Sequence, residues 1–166
     1  MAGAMLGTTP ATAANRVMLF QDLQWLEVNT SGEGFTDLTA QANAAIAASG
    51  IRLGLATLVA QHTSCSLTIN ENADPRVLED LAAYLRALVP QQAFRSLNGG
   101  ERRAYRHDDE GPDDMPAHIR TALTATSLQL SVQNGCLLLG TWQAVYLWEY
   151  RARPHRRRLS LHLIGE

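Results

Sequence analysis

From His62 to Asn70 the chain alternates without a break: His62, Ser64, Ser66, Thr68 and Asn70 point one way, and Thr63, Cys65, Leu67 and Ile69 the other. Only an extended strand puts such a pattern to use, because successive side chains leave a strand on opposite faces. The same period returns at Leu128, Leu130 and Val132, from Trp142 to Arg151, and from Leu159 to Ile164. Asn134-Gly135 supplies a two-residue turn with positive φ, which predicts a hairpin over Ser127 to Leu139. Arg16 to Asn29 holds one or two opening strands. The near-continuous Leu, Ala and Val run from Arg52 to Gln61 reads as a strand covered on both faces.

Helices are expected at three places. An alanine-rich one from about Leu38 to Ser49 can be capped by Thr36 or Asp37 and ends at Gly50. A second has Asp74 as cap, Pro75 at its first position, a buried stripe of Val77, Leu78, Leu81, Leu85 and Leu88, and a stop at Pro90. A third runs from Pro116 to Leu123, with Asp113 or Asp114 as its cap. Residues 91 to 103 form a polar loop. With 166 residues the chain suffices for one domain with a real core. The expected fold class is α+β: a single compact domain over residues 16–166, mostly antiparallel sheet with a few helices, preceded by a flexible tail over residues 1–15.

Composition removes several functions. Hydrophobic residues make up 46% and charged ones 18%, a globular balance, and no apolar run approaches the length of a membrane span. A soluble, cytoplasmic protein that does not act at a membrane is expected. With a net charge of −2 and no extended basic face, nucleic acid is not an expected partner. All 14 basic residues are arginine, so Schiff-base chemistry and a P-loop lysine are absent. Cys65 and Cys136 share no Cys-x-x-Cys spacing and predict neither a disulfide framework nor a thiolate metal site. Arg156 to Arg158 reads as a solvated turn between strands, from which one arginine could reach an anion.

Chemistry concentrates between Tyr105 and Ile119, where two of the five histidines stand among five acidic residues. Gly111, Pro112 and Pro116 keep this stretch from being one helix or strand. His118 falls near a helix N-terminus, where the partial positive charge favours the neutral, metal-ligating imidazole. The polar row begun by His62 suits either a strand facing water or the floor of a polar pocket. Cys65, on the opposite face, belongs to the core. Trp142, Ala144, Tyr146, Trp148 and Tyr150 share one strand face, as in a core or a subunit interface.

Taken together, Gln61 to Asn72, Asp74-Pro75, Tyr105 to Ile119, Gly140-Thr141-Trp142-Gln143 and the terminal Gly165-Glu166 closely resemble the YjbQ family, also described as secondary thiamine-phosphate synthase enzymes. Cys65, Ala144 and Tyr150 depart from the residues common there, while Glu149 and Arg151 carry over. The resemblance implies a compact cytosolic homotrimer, held partly by the surfaces around Trp142 to Tyr150. It also implies a divalent metal, zinc first among candidates, on His62, His107 and His118. Three imidazoles with an open position suit catalysis better than a closed structural site.

The implied reaction joins a hydroxymethylpyrimidine diphosphate to a thiazole phosphate, so a small phosphorylated molecule is the expected ligand. Thr63, Ser64, Ser66, Asn70, Trp142, Gln143 and Arg151 are the candidates to bind it. Glu110, Asp109 and Arg106 are the candidate catalytic groups, with Glu110 or Asp109 as base. A metal-dependent hydrolase or lyase, and a non-catalytic trimer that binds a metal or small ligand, are the alternative functions.

Overall fold

The computed structural model describes residues 18–95 and 99–166; the tail expected over residues 1–15 lies outside them. Ten strands and three helices are found among these residues. The strands are β1 (Phe20–Asn29), β2 (Gly34–Asp37), β3 (Leu53–Ala60), β4 (Cys65–Glu71), β5 (Phe94–Arg95), β6 (Arg102–Arg103), β7 (Ser127–Gln133), β8 (Cys136–Leu137), β9 (Gln143–Glu149) and β10 (Arg156–Gly165). The helices are α1 (Thr39–Ser49), α2 (Pro75–Leu88) and α3 (Asp114–Leu123). Every strand pair is antiparallel, so the expected α+β class is what the chain forms.

A five-stranded sheet, β1-β10-β3-β7-β8, lies against a three-stranded sheet, β2-β9-β4. Leu58, Leu130, Leu159, Leu161 and Leu163 from the larger sheet meet Cys65, Leu67, Val145 and Leu147 from the smaller one in the main core. Ala42 and Ile46 of α1 join that core, and the small alanines let the helix approach closely. On its far side the small sheet packs Phe35, Trp148 and Tyr150 against Leu81 and Leu85 of α2 and Ala117 of α3.

The local signals act as their chemistry requires. Asp37 Oδ1 accepts from Thr39 N at the start of α1, and Gly50 ends that helix at φ 78°. Asp74 accepts from Arg76 N with Pro75 at the start of α2. Asn134 and Gly135, at φ 55° and 78°, make the β7–β8 turn.

Several expectations are corrected. The strand covered on both faces is β9, where Ala144 to Glu149 are all buried. In β3, Leu53 and Leu55 are exposed and only the opposite row is buried, because none of the described residues covers these side chains on the outer face of the large sheet. Of the two readings of the aromatic row, the core is the one found within the chain: Tyr146, Trp148 and Tyr150 are internal, at 7%, 7% and 1% exposure, with Trp148 and Tyr150 packed among Leu85 of α2 and Ala117 of α3. That leaves Trp142 as the exposed aromatic of its row. Leu88 is exposed, with Ala82 buried in α2 instead. The polar loop contains the β5–β6 hairpin, and a short strand, β2, precedes α1.

Arg156 to Arg158 are not a turn but the first residues of β10. Arg156 pairs with Glu27, Arg157 is buried against Glu149, and the Arg158 guanidinium lies 3.8 Å over the Trp25 ring.

Candidate functional site

Helix α3 begins two residues earlier than its proline indicates, at Asp114. Pro116 is tolerated there because the first-turn N–H groups have no intrahelical acceptor in any case. Neither aspartate caps the helix through its side chain, because Arg151 claims both. The Arg151 Nε donates to Asp113 Oδ2 at 3.1 Å, its Nη1 to Asp114 Oδ1, and its Nη2 to the Glu110 carbonyl at 2.8 Å. Asp113 Oδ2 also accepts from Ala152 N at 2.8 Å. Burial alone would raise the Asp113 pKa, but the Ala152 and Arg151 hydrogen bonds outweigh it and hold the carboxyl below its ordinary value. The acidic loop is thus clamped to the end of β9.

The early start places Asp114, His118 and Thr121 at i, i+4 and i+7, on one side of α3. Asp114 is 2% exposed, and its second oxygen, Oδ2, accepts no hydrogen bond. His107 Nε2 lies 2.8 Å from it, though not aligned as a donor, and His118 Nε2 lies 3.7 Å away. The two imidazole rings are 5.3 Å apart. One donor atom from each of His107, Asp114 and His118 falls within 4.8 Å of the other two. Tetrahedral zinc with bonds of about 2.0–2.1 Å separates its ligand atoms by about 3.3 Å. Two imidazoles and a carboxylate, with no thiolate, form a donor set for a first-row divalent ion such as zinc. Two of the three histidines that the resemblance implies, His107 and His118, thus stand together in a donor set that fits such an ion, joined by Asp114, which the sequence reads as a helix cap.

His62 is not in that cluster. It precedes β4 and lines, with Thr63, His118, Thr121, Thr124 and Thr126, an open groove of about 550 Å³. Its Nδ1 is 3.1 Å from Ser64 Oγ. Ser64 in turn accepts from Arg157 Nη2 at 3.0 Å, and Arg157 makes a two-point pair with Glu149, both contacts at 2.6 Å. Burial and then the Arg157 charge lower the His62 pKa from its ordinary value, so the ring is neutral at neutral pH.

The remaining candidates are dispersed. Ser66 is buried, its hydroxyl 2.6 Å from the Tyr150 hydroxyl. Asn70 sits beside Ala144 in the β4–β9 register, and Gln143 opposite Glu71. They are thus at the far end of the small sheet from Cys65 and Glu149, roughly 20 Å away at about 3.3 Å per residue. Trp142 is exposed at that same far end.

Asp109 and Glu110 line a separate cavity of about 730 Å³ with Arg153 and His155. Glu110 leans on Arg151, at 3.5 Å. Arg106 opens with His107 onto another recess, beside Phe94 and Tyr105. Cys65 is fully buried, and burial raises its thiol pKa to about 11, which suits a core residue and not a nucleophile. Arg157 is the polar contributor that the sequence does not disclose, because its partner Ser64 is ninety-three positions away.

The two-sheet α+β fold gives the class of protein. The chain belongs to the YjbQ family: residues 24–166 match the model described as "UPF0047 protein YjbQ-like". It is 47% identical over 146 residues to a UPF0047 protein of Synechocystis, covering 88% of this chain and 93% of the relative. It is 43% identical over 116 residues to UPF0047 protein YjbQ of Escherichia coli, covering 70% and 77%. Among solved structures, a YjbQ/UPF0047 family protein of Clostridium acetobutylicum aligns with a TM-score of 0.71 at 33% identity, over 84% of this chain and 98% of that one. A conserved hypothetical protein of Thermus thermophilus aligns with a TM-score of 0.70 at 36% identity, over 84% and 98%. Among the described residues no helix is long and apolar enough to cross a membrane.

Proposed function

We propose that the chain is a divalent-metal enzyme acting on a small phosphorylated molecule. In this reading His107, Asp114 and His118 hold the ion, zinc first among candidates, and the threonine-lined groove takes the substrate. The observation that carries the reading is Asp114 Oδ2, a buried carboxylate oxygen without a hydrogen bond beside two imidazole Nε2 atoms. A carboxylate oxygen is left that way at a real cost unless a cation completes it. When bound, the ion would supply Lewis acidity and an open position for water or a substrate oxygen.

The chain's own groups do the rest. Thr63, Thr124 and Thr126 border the groove and can donate hydrogen bonds to phosphate oxygens. Arg151, occupied by Asp113, Asp114 and the Glu110 carbonyl, holds the site's frame. Among the residues lining this groove there is no arginine, so the ion is the counter-charge for an anionic ligand. That economy fits a monophosphate better than the diphosphate of the thiamine-phosphate reaction, and it favours metal-assisted hydrolysis or elimination.

The test is a screen of phosphorylated metabolites with zinc-loaded protein, using His118→Ala as control. Zinc-dependent turnover lost in the variant is expected. A zinc-loaded wild type that turns over none of them, the pyrimidine diphosphate and thiazole phosphate pair included, would favour a binding protein instead.

A further inference from the structure

His62 and His118 border one groove, yet their surroundings give the two rings different work. Ser64 is 1% exposed, so its hydroxyl must find its partners inside the protein. One of them, Arg157 Nη2 at 3.0 Å, can only donate. The hydroxyl hydrogen therefore needs an acceptor, and the other polar atom recorded at bonding distance among the described residues is His62 Nδ1, at 3.1 Å. A neutral imidazole that accepts at Nδ1 carries its hydrogen on Nε2. The opposite tautomer would donate from Nδ1 and leave a buried hydroxyl hydrogen without an acceptor, which is unfavourable.

We propose that His62 is a catalytic hydrogen-bond donor, held as the Nε2–H tautomer by Ser64 and Arg157, that polarises a carbonyl or phosphoryl oxygen in the groove and does not ligate the ion. This rests on the metal reading of the groove for its setting, but not for the tautomer. The orienting group is rigid: Arg157 and Glu149 are each 1% exposed and joined at two points. Burial and the Arg157 charge keep the ring neutral. A neutral imidazole of this kind can polarise a reacting oxygen without being a cation. The geometry of the ion cluster agrees, because His107, Asp114 and His118 form it without His62.

The test uses full-length protein labelled with 15N-histidine, observed by long-range proton–nitrogen correlation near neutral pH before and after one equivalent of zinc. Expected for His62 are an unprotonated Nδ1 and a protonated Nε2, both unmoved by zinc, while nitrogens of His107 and His118 shift. Ser64→Ala should mix the His62 tautomers. Zinc affinity should stay within about 2-fold in His62→Ala and fall at least about 10-fold in His118→Ala, the scale on which removing groups at a metal site acts. A protonated Nδ1, a His62 Nε2 that moves with zinc, or an affinity loss in His62→Ala equal to that in His118→Ala would overturn the proposal. Wild-type protein that takes up no zinc would overturn the metal reading instead, and the tautomer in the metal-free spectrum would still decide the role of His62.

Discussion

Asp114 and His118 stand one turn apart on α3, with Oδ2 of the first 3.7 Å from Nε2 of the second, while the other oxygen of the same carboxylate holds Arg151. One oxygen serves the fold and the other the site. Asp114→Ala should cost about 1.5–3 kcal/mol, as the loss of a charge-assisted hydrogen bond does. Asp114→Asn keeps an oxygen for Arg151, so it should lose less stability but still weaken zinc binding. Urea unfolding and zinc competition titration separate the two effects. A wild-type urea midpoint in Asp114→Ala would show that the Arg151 contact contributes nothing.

Glu149 and Arg157 make the second prediction. Glu149 accepts from Tyr150 N and Arg151 N at 3.0 Å each, and from the Thr30 hydroxyl at 3.2 Å, besides its pair with Arg157. Removing one member of a buried pair strands the other charge, so Glu149→Leu or Arg157→Leu should each destabilise by about 3–5 kcal/mol. The double variant should lose less than the sum of the two. Strict additivity in thermal unfolding would mean that the pair is not coupled.

The same carboxylate sets a pH dependence. Burial alone would raise the Glu149 pKa, but hydrogen bonds from Arg157 and the Arg151 backbone outweigh it and hold it below the ordinary 4.5. Asp113 is likewise held below 3.8. A depressed carboxyl contributes stability that is fully present above its unfolded value and is lost as pH falls through its folded value. These two carboxyls therefore leave stability flat down to about 4.5 and make it fall below that, while His62, held below its ordinary 6.5, adds a separate loss as pH falls through that value. The fall should be shallower in the Glu149→Leu/Arg157→Leu variant. An equal acid limb in both proteins would remove Glu149 from the account.

Much of this architecture was legible because it rests on short-range chemistry. Asn134-Gly135 fixes a hairpin wherever it occurs between strands, and Asp74-Pro75 starts a helix in most surroundings. The residues that mislead are those whose role depends on a distant partner. Asp114 resembles a helix cap until Arg151 takes one of its oxygens, and the cluster with His118 emerges only when the helix starts two residues before Pro116. Arg157 resembles a solvated charge until β10 carries it to Glu149 and Ser64. The aromatic row of β9 reads as either a core or a subunit interface, because sequence cannot show that this strand lies between a sheet and two helices.

That last difference relocates the surface on which a homotrimer would form. With Tyr146, Trp148 and Tyr150 internal, an exposed apolar cluster among the described residues lies on the outer face of the large sheet. Leu55 lies opposite Ile164 in the β3–β10 register, at 44% and 41% exposure, with Leu23, Trp25 and Leu53 exposed on the same face. Association of copies through this face would cover the row of β3 that is left exposed among the described residues. Light scattering should give about three times the chain mass of 18.1 kDa for the wild type. Leu55→Lys/Ile164→Lys should lower that mass, because two charges opposite each other cannot be buried without partners, whereas Trp142→Ala should leave it unchanged. A wild-type monomer at micromolar concentration would end the idea of a trimer. A variant pattern in which Trp142→Ala dissociates the assembly and the double lysine does not would return the interface to the start of β9.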